Sequence, residues 1–77
     1  MENSTTEKLA LNALTNEYGE LRDPMPKDIV EARILQAKTN FNYMTTEFYR
    51  NQSSFNYNLM VNSMIQLQYW NQKKVIE

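Results

Sequence analysis

Apolar positions along the chain fall into three successive patterns, and each predicts a different element. Leu11, Leu14, Tyr18 and Leu21 recur at spacings of three, four and three, which places them on one stripe of a helix. Ser4-Thr5-Thr6-Glu7 ahead of them matches a capping box, in which Ser4 accepts from the Glu7 backbone N–H and Glu7 reaches back to Ser4. A first helix is therefore expected from about 5 to about 22. Ala10 and Ala13 leave room for a neighbouring helix, and Gly19 weakens the helix by about 1 kcal/mol relative to alanine.

Asp23-Pro24-Met25-Pro26 is the strongest punctuation in the sequence. Each proline drives its predecessor towards extended geometry, and Pro26 fits the first position of a new helix. Asp28 and Glu31 then place negative charge at that helix's positive end. Val30, Ile34, Ala37, Phe41, Met44 and Phe48 form its stripe, from about 26 to about 50. The stripe passes Gln52 and returns at Phe55 and Leu59, which predicts one long helix, bent or broken at the polar run Asn51-Gln52-Ser53-Ser54.

Beyond Phe55 the rhythm becomes ambiguous. Phe55, Tyr57, Leu59, Val61, Ile65, Leu67 and Tyr69 are all odd positions, and many of the residues between them are Asn or Gln. Period two is the signature of a half-buried strand, and Asn62-Ser63 offers a turn, although it lacks the glycine of a strong hairpin signal. A helix over 55–72 remains open if it is covered on all sides. Two architectures follow. One is all-α: an antiparallel helical hairpin across the proline turn, with its second helix bent or broken near 51–54. The alternative is α+β, with two helices followed by a β-hairpin at 55–70.

Composition sharpens the functional expectation. The 77 residues form one domain at most, contain neither Cys nor His, and carry a formal net charge of −1. A chain of this size is marginal alone, and without disulfides or the usual zinc ligands its remaining support is self-association or a partner. Charges are dense up to Lys38, whereas from Thr39 to Gln72 only Glu47 and Arg50 are charged. Either coding bias towards Asn produces this, or the outer face of the segment is covered by another chain. Phe48, Phe55, Tyr57, Leu59, Met64, Leu67 and Trp70 are the candidate interface residues, because aromatic residues and Met are enriched where proteins meet.

Candidate chemistry is sparse. Without His or Cys the commonest general base and the thiol nucleophile are missing, so the chain is not expected to be an enzyme. Glu17 and Glu20 stand one turn apart but fall far short of a calcium ligand set, and Asp28 is explained by the helix start. Gly19 is the only glycine, so no phosphate-cradling loop is expected, and neither a cofactor nor a small-molecule substrate is implied. The aromatic residues lack the cationic groove that base stacking requires, so nucleic acid is not an expected partner. Trp70 with Lys73 and Lys74 is too little to anchor on lipid, and no apolar run approaches the roughly 18 residues of a membrane span. With no signal-peptide pattern at its start, the chain is expected to be cytoplasmic when made.

Two segments resemble the needle and inner-rod subunits of type III secretion systems. Asp23-Pro24-Met25-Pro26 resembles their hairpin turn, and Tyr49-Arg50-Asn51-Gln52-Ser53 resembles a stretch of the C-terminal helix of some needle subunits. The prolines here are separated by one residue where needle turns have two, and the chain continues through Trp70 to Glu77 past the expected end. The resemblance implies a hairpin that polymerises with itself or packs on another helical protein, exported through a dedicated apparatus. A secretion chaperone or a phage or host-interaction protein would share this shape.

Overall fold

The computed structural model describes residues 2–77, with side chains from Thr6 onward. Its main elements are three helices: α1 (Glu2–Tyr18), α2 (Lys27–Arg50) and α3 (Ser54–Gln72). Two short strands, β1 (Met25–Pro26) and β2 (Val75–Ile76), pair in parallel, Met25 against Val75 and Pro26 against Ile76. The all-α reading holds. Residues expected to form the alternative β-hairpin are helical in α3, and strand structure among the described residues is confined to this small parallel pair.

The first helix begins and ends earlier than its stripe implied. It starts at Glu2, and the capping bonds expected of the Ser4 side chain lie outside the described residues. It stops at Tyr18 because Gly19 adopts φ +89°, a conformation that ends helices and that glycine reaches without steric cost. Leu21 therefore belongs to the following turn, where Asp23 Oδ2 accepts from Glu20 N at 3.0 Å and Glu20 O accepts from Asp23 N at 3.0 Å. A Cβ at position 19 would lie 3.1 Å from Asp23 Oδ2 as well as in the left-handed region. Gly19→Ala is expected to lower stability by about 1–2 kcal/mol, measured as a reduced urea midpoint with an unchanged slope.

α2 runs from Lys27 to Arg50, close to its expected limits, with Pro26 at the N-cap rather than inside the first turn. The long helix is broken. Asn51 ends α2, and the Ser53 hydroxyl caps α3 by accepting from Asn56 N at 3.1 Å. The Asn56 amide returns to Asn51 O at 2.9 Å, so two polar side chains hold the corner that reverses the chain.

α3 occupies the centre. It packs antiparallel on α2 and parallel to α1, while α1 and α2 make no comparable approach to each other among the described residues. The packed hairpin is thus α2–α3 across 51–53. The proline turn connects two helices that flank α3. The result is an open layer with extents of 41 × 24 × 15 Å. It exposes 5543 Å², against ~4,900 Å² for a typical monomer of 9.2 kDa. Leu14, Val30, Ala37, Tyr69 and Trp70 form the buried core, with Tyr18, Leu21, Ile34 and Leu67 against it. Leu14, Tyr18 and Leu21 do share that core with Ile34 and Ala37, as a hairpin would require, but Leu11 is 43% exposed.

The ambiguous rhythm of α3 follows from its place. Residues two apart on a helix point about 200° apart, so a helix with neighbours on opposite sides needs apolar or small residues at period two. Ile65 faces a cleft shared with Leu11 and Leu21, whereas Ser63 lines the groove with Asn40 and Tyr43 of α2.

Candidate functional site

The two ends of the layer differ in chemistry. At one end the last residues close on the exit of α1. Lys73 is 5% exposed, and its ammonium donates to Tyr18 O at 2.8 Å, Glu20 O at 2.7 Å and Tyr69 Oη at 3.2 Å. The Tyr69 hydroxyl in turn donates to Gly19 O. Lys74 N donates to Leu21 O and Met25 N to Lys74 O, so backbone bonds bind the tail to the turn. The carbonyls that every helix leaves unpaired at its C-terminus are here met by a buried cation, which also complements the helix dipole. Among the described residues this cluster has no carboxylate in an ion pair with Lys73, and the ammonium is spent on three oxygen acceptors, so its chemistry is that of a clasp.

The opposite, distal end of α2–α3 is aromatic and nearly uncharged. Phe48 and Tyr57 are half-buried with ring centroids 5.6 Å apart, and Phe48 lies 6.4 Å from Tyr49. Tyr43, Tyr49 and Phe55 are 61%, 73% and 71% exposed. Glu47 and Arg50, the two charges of this region, pair with each other at 3.0 Å and leave little net charge there.

A groove runs between α2 and α3 along one broad face. Its distal part, ≈ 430 Å³, is lined by Asn40, Tyr43 and Met44 of α2 with Leu59, Asn62 and Gln66 of α3. Its narrower continuation, ≈ 210 Å³, reaches Ala10, Ala13 and Glu17 of α1 opposite Arg33 and Gln36 of α2. Arg33 lies over the Tyr18 ring, 5.4 Å from its centroid. Gln66 donates to Asn62 Oδ1 at 2.7 Å, so the two share a hydrogen bond.

The expected interface residues are dispersed by the fold. Trp70 is 3% exposed in the core, with Tyr18 at 4.8 Å and Tyr69 at 5.0 Å between ring centroids. Leu67 packs against the same core, and Met64 is half-buried. Phe48 and Tyr57 meet at the distal end, Leu59 lines the groove, and Phe55 projects into solvent. Tyr43, Asn62 and Gln66 were not among the expected interface residues, and Asn62 was read instead as part of a turn. Tyr43 did carry a signal, since it is a large aromatic off the α2 stripe.

Among the described residues no group of three or more Asp or Glu stands close enough to hold a metal ion. Glu20 pairs with Arg22 at 3.1 Å on the surface. No described helix is long and apolar enough to cross a membrane. Compared with known proteins, the chain matches no family, no curated protein and no solved structure.

Proposed function

We propose that this chain is a protein-interaction subunit, not an enzyme, and that it engages other protein through the distal half of the α2–α3 hairpin. The observation that carries this reading is the exposure of Tyr43, Tyr49 and Phe55 in a region whose two charges neutralise each other. Scattered exposed apolar residues are ordinary on any surface. Three exposed aromatics lie on the half of this thin layer that carries little net charge, and exposed aromatic rings are what a partner desolvates. Self-assembly is the form we favour; the resemblance of Asp23–Pro26 and Tyr49–Ser53 to secretion needle or rod subunits suggests it, although here the packed hairpin turns at 51–53 and not at the prolines. A chaperone-like or host-interaction module would use the same surface on a foreign partner.

The test is a photo-activated cross-linking residue placed at Phe55, and separately at Lys27, in the intact chain within producing cells. Discrete adducts are expected from position 55 and not from position 27, which is exposed at the other end. Absence of any adduct from position 55, with the variant folded and abundant, would refute the reading.

A further inference from the structure

We infer that the partner is a second copy of this chain, docked groove to groove so that two α2–α3 hairpins form a four-helix bundle about a two-fold axis. The inference rests on the interaction role just proposed and names its occupant.

The face has the pattern of a helix-packing surface. Phe55, Leu59, Asn62 and Gln66 recur at spacings of four, three and four on α3, and Gln36, Asn40 and Tyr43 at four and three on α2. These are the spacings that keep residues on one side of a helix. Ser63, 8% exposed beside the groove, keeps its floor low, so that another helix can approach closely. Two antiparallel hairpins meeting on such faces give the standard bundle packing.

The amide chemistry selects a copy over a foreign helix. The Gln66–Asn62 bond consumes one donor group and one acceptor, leaving the Asn62 NH2 and the Gln66 carbonyl oxygen to be satisfied. Across a two-fold axis the free donor of each copy meets the free acceptor of the other, because an isologous interface repeats every contact in reverse. A polar pair of this kind fixes register in a helical interface. Charge agrees. Glu17 and Arg33 supply one charge of each sign to the groove, so it favours neither an acidic nor a basic partner, and two copies meet without net repulsion.

The two hairpin helices take up roughly two-thirds of the 41 by 24 Å face, so the contact falls in the lower range for a stable interface and the dimer is expected to depend on concentration.

Sedimentation equilibrium of the full chain tests this, with Asn62→Lys, Asn62→Glu and their equimolar mixture. The wild type is expected to be dimeric. Each variant alone places like charges beside the axis and should raise the dimer dissociation constant about tenfold or more. The mixture should recover association, because opposite charges then face each other. Circular dichroism accompanies each variant, and Tyr43→Lys, at a position already 61% exposed, serves if either Asn62 variant loses helicity. A wild type that stays monomeric at every concentration overturns the inference, as does a dimer that these variants leave intact. If cross-links from position 55 join only a different protein and the wild type is monomeric, self-docking fails while the interaction role stands. If no cross-link forms either, both fail.

Discussion

Replacing Lys73 with methionine is expected to destabilise the fold by about 1–3 kcal/mol, while the same change at the neighbouring Lys74 does little. Methionine keeps most of the hydrocarbon stem of Lys73 and removes the three donors. Removing a buried charge also removes its desolvation cost, so the sign depends on what remains behind. Tyr18 O would be left at the end of α1 without that donor, whereas Glu20 O would keep its bond from the Asp23 backbone N–H. A buried acceptor stripped of its partner costs roughly 1–3 kcal/mol, and these bonds came from a charged donor. One orphaned carbonyl and the loss of a link spanning more than fifty residues therefore outweigh the relief of burying no charge. Lys74 is exposed and joins the clasp through its backbone, which substitution does not touch. For 77 residues, a total stability of about 4–12 kcal/mol is typical, so Lys73→Met is expected to melt clearly below the wild type. A difference under ~4 °C would correspond to less than about 1 kcal/mol and would remove the clasp from the account of stability.

What could be read from the sequence follows from the range of the interactions involved. α2 was legible almost to the residue, because its stripe is long, its neighbour lies on one side, and proline and the polar run 51–54 mark its ends. Gly19 was legible as a cost but not as a stop. Only the observed φ, set by Glu20 and Asp23 bonding to each other, shows why the helix ends there. α3 misled for a physical reason, since a helix between two others acquires the alternation of a strand. The order of the helices in the layer was not legible, because the proline turn implies adjacency of α1 and α2 and nothing local signals that α3 lies between them. Lys73 carried no local signal at all, and its acceptors are 53 and 55 residues away.

The candidate surface was legible as a region and not as a set of particular residues. The run of low charge from Thr39 to Gln72 does coincide with the exposed aromatic end and the groove. Within that run, however, identity alone cannot separate an aromatic that faces inward from one that faces solvent. Phe48 and Phe55 are the same residue type seven positions apart, yet one is half-buried against Tyr57 and the other is 71% exposed. The corner at 51–53 lies between them and shifts the helical phase, so a stripe carried through it by counting loses its meaning.

Trp70 is where that distinction has its largest consequence. Trp70→Ala is expected to cost about 3–5 kcal/mol through the cavity it leaves, with a further ~0.5–1.5 kcal/mol for each aromatic pairing it removes. Its ring meets Tyr18 edge-on at 4.8 Å, so it joins α3 to α1, and its own helix neighbour Tyr69 stands at 5.0 Å. In a single layer with so small a buried core, no second shell of apolar side chains is available to collapse into the space. Phe55→Ala, by contrast, removes a ring that is 71% exposed and is expected to change stability by no more than about 0.5 kcal/mol. The two aromatics therefore separate folding from association: Trp70→Ala should abolish cooperative unfolding at ordinary temperature, and Phe55→Ala should leave it intact while reducing assembly. A double-mutant cycle with Tyr18→Ala, measured in a milder Trp70→Phe background, should show a coupling of about 0.5–3 kcal/mol if the two rings pack as described. Should Trp70→Ala instead keep its melting temperature and lose only its ability to associate, Trp70 would be a surface residue of an assembly, and the packing of α3 between α1 and α2 would have to be abandoned.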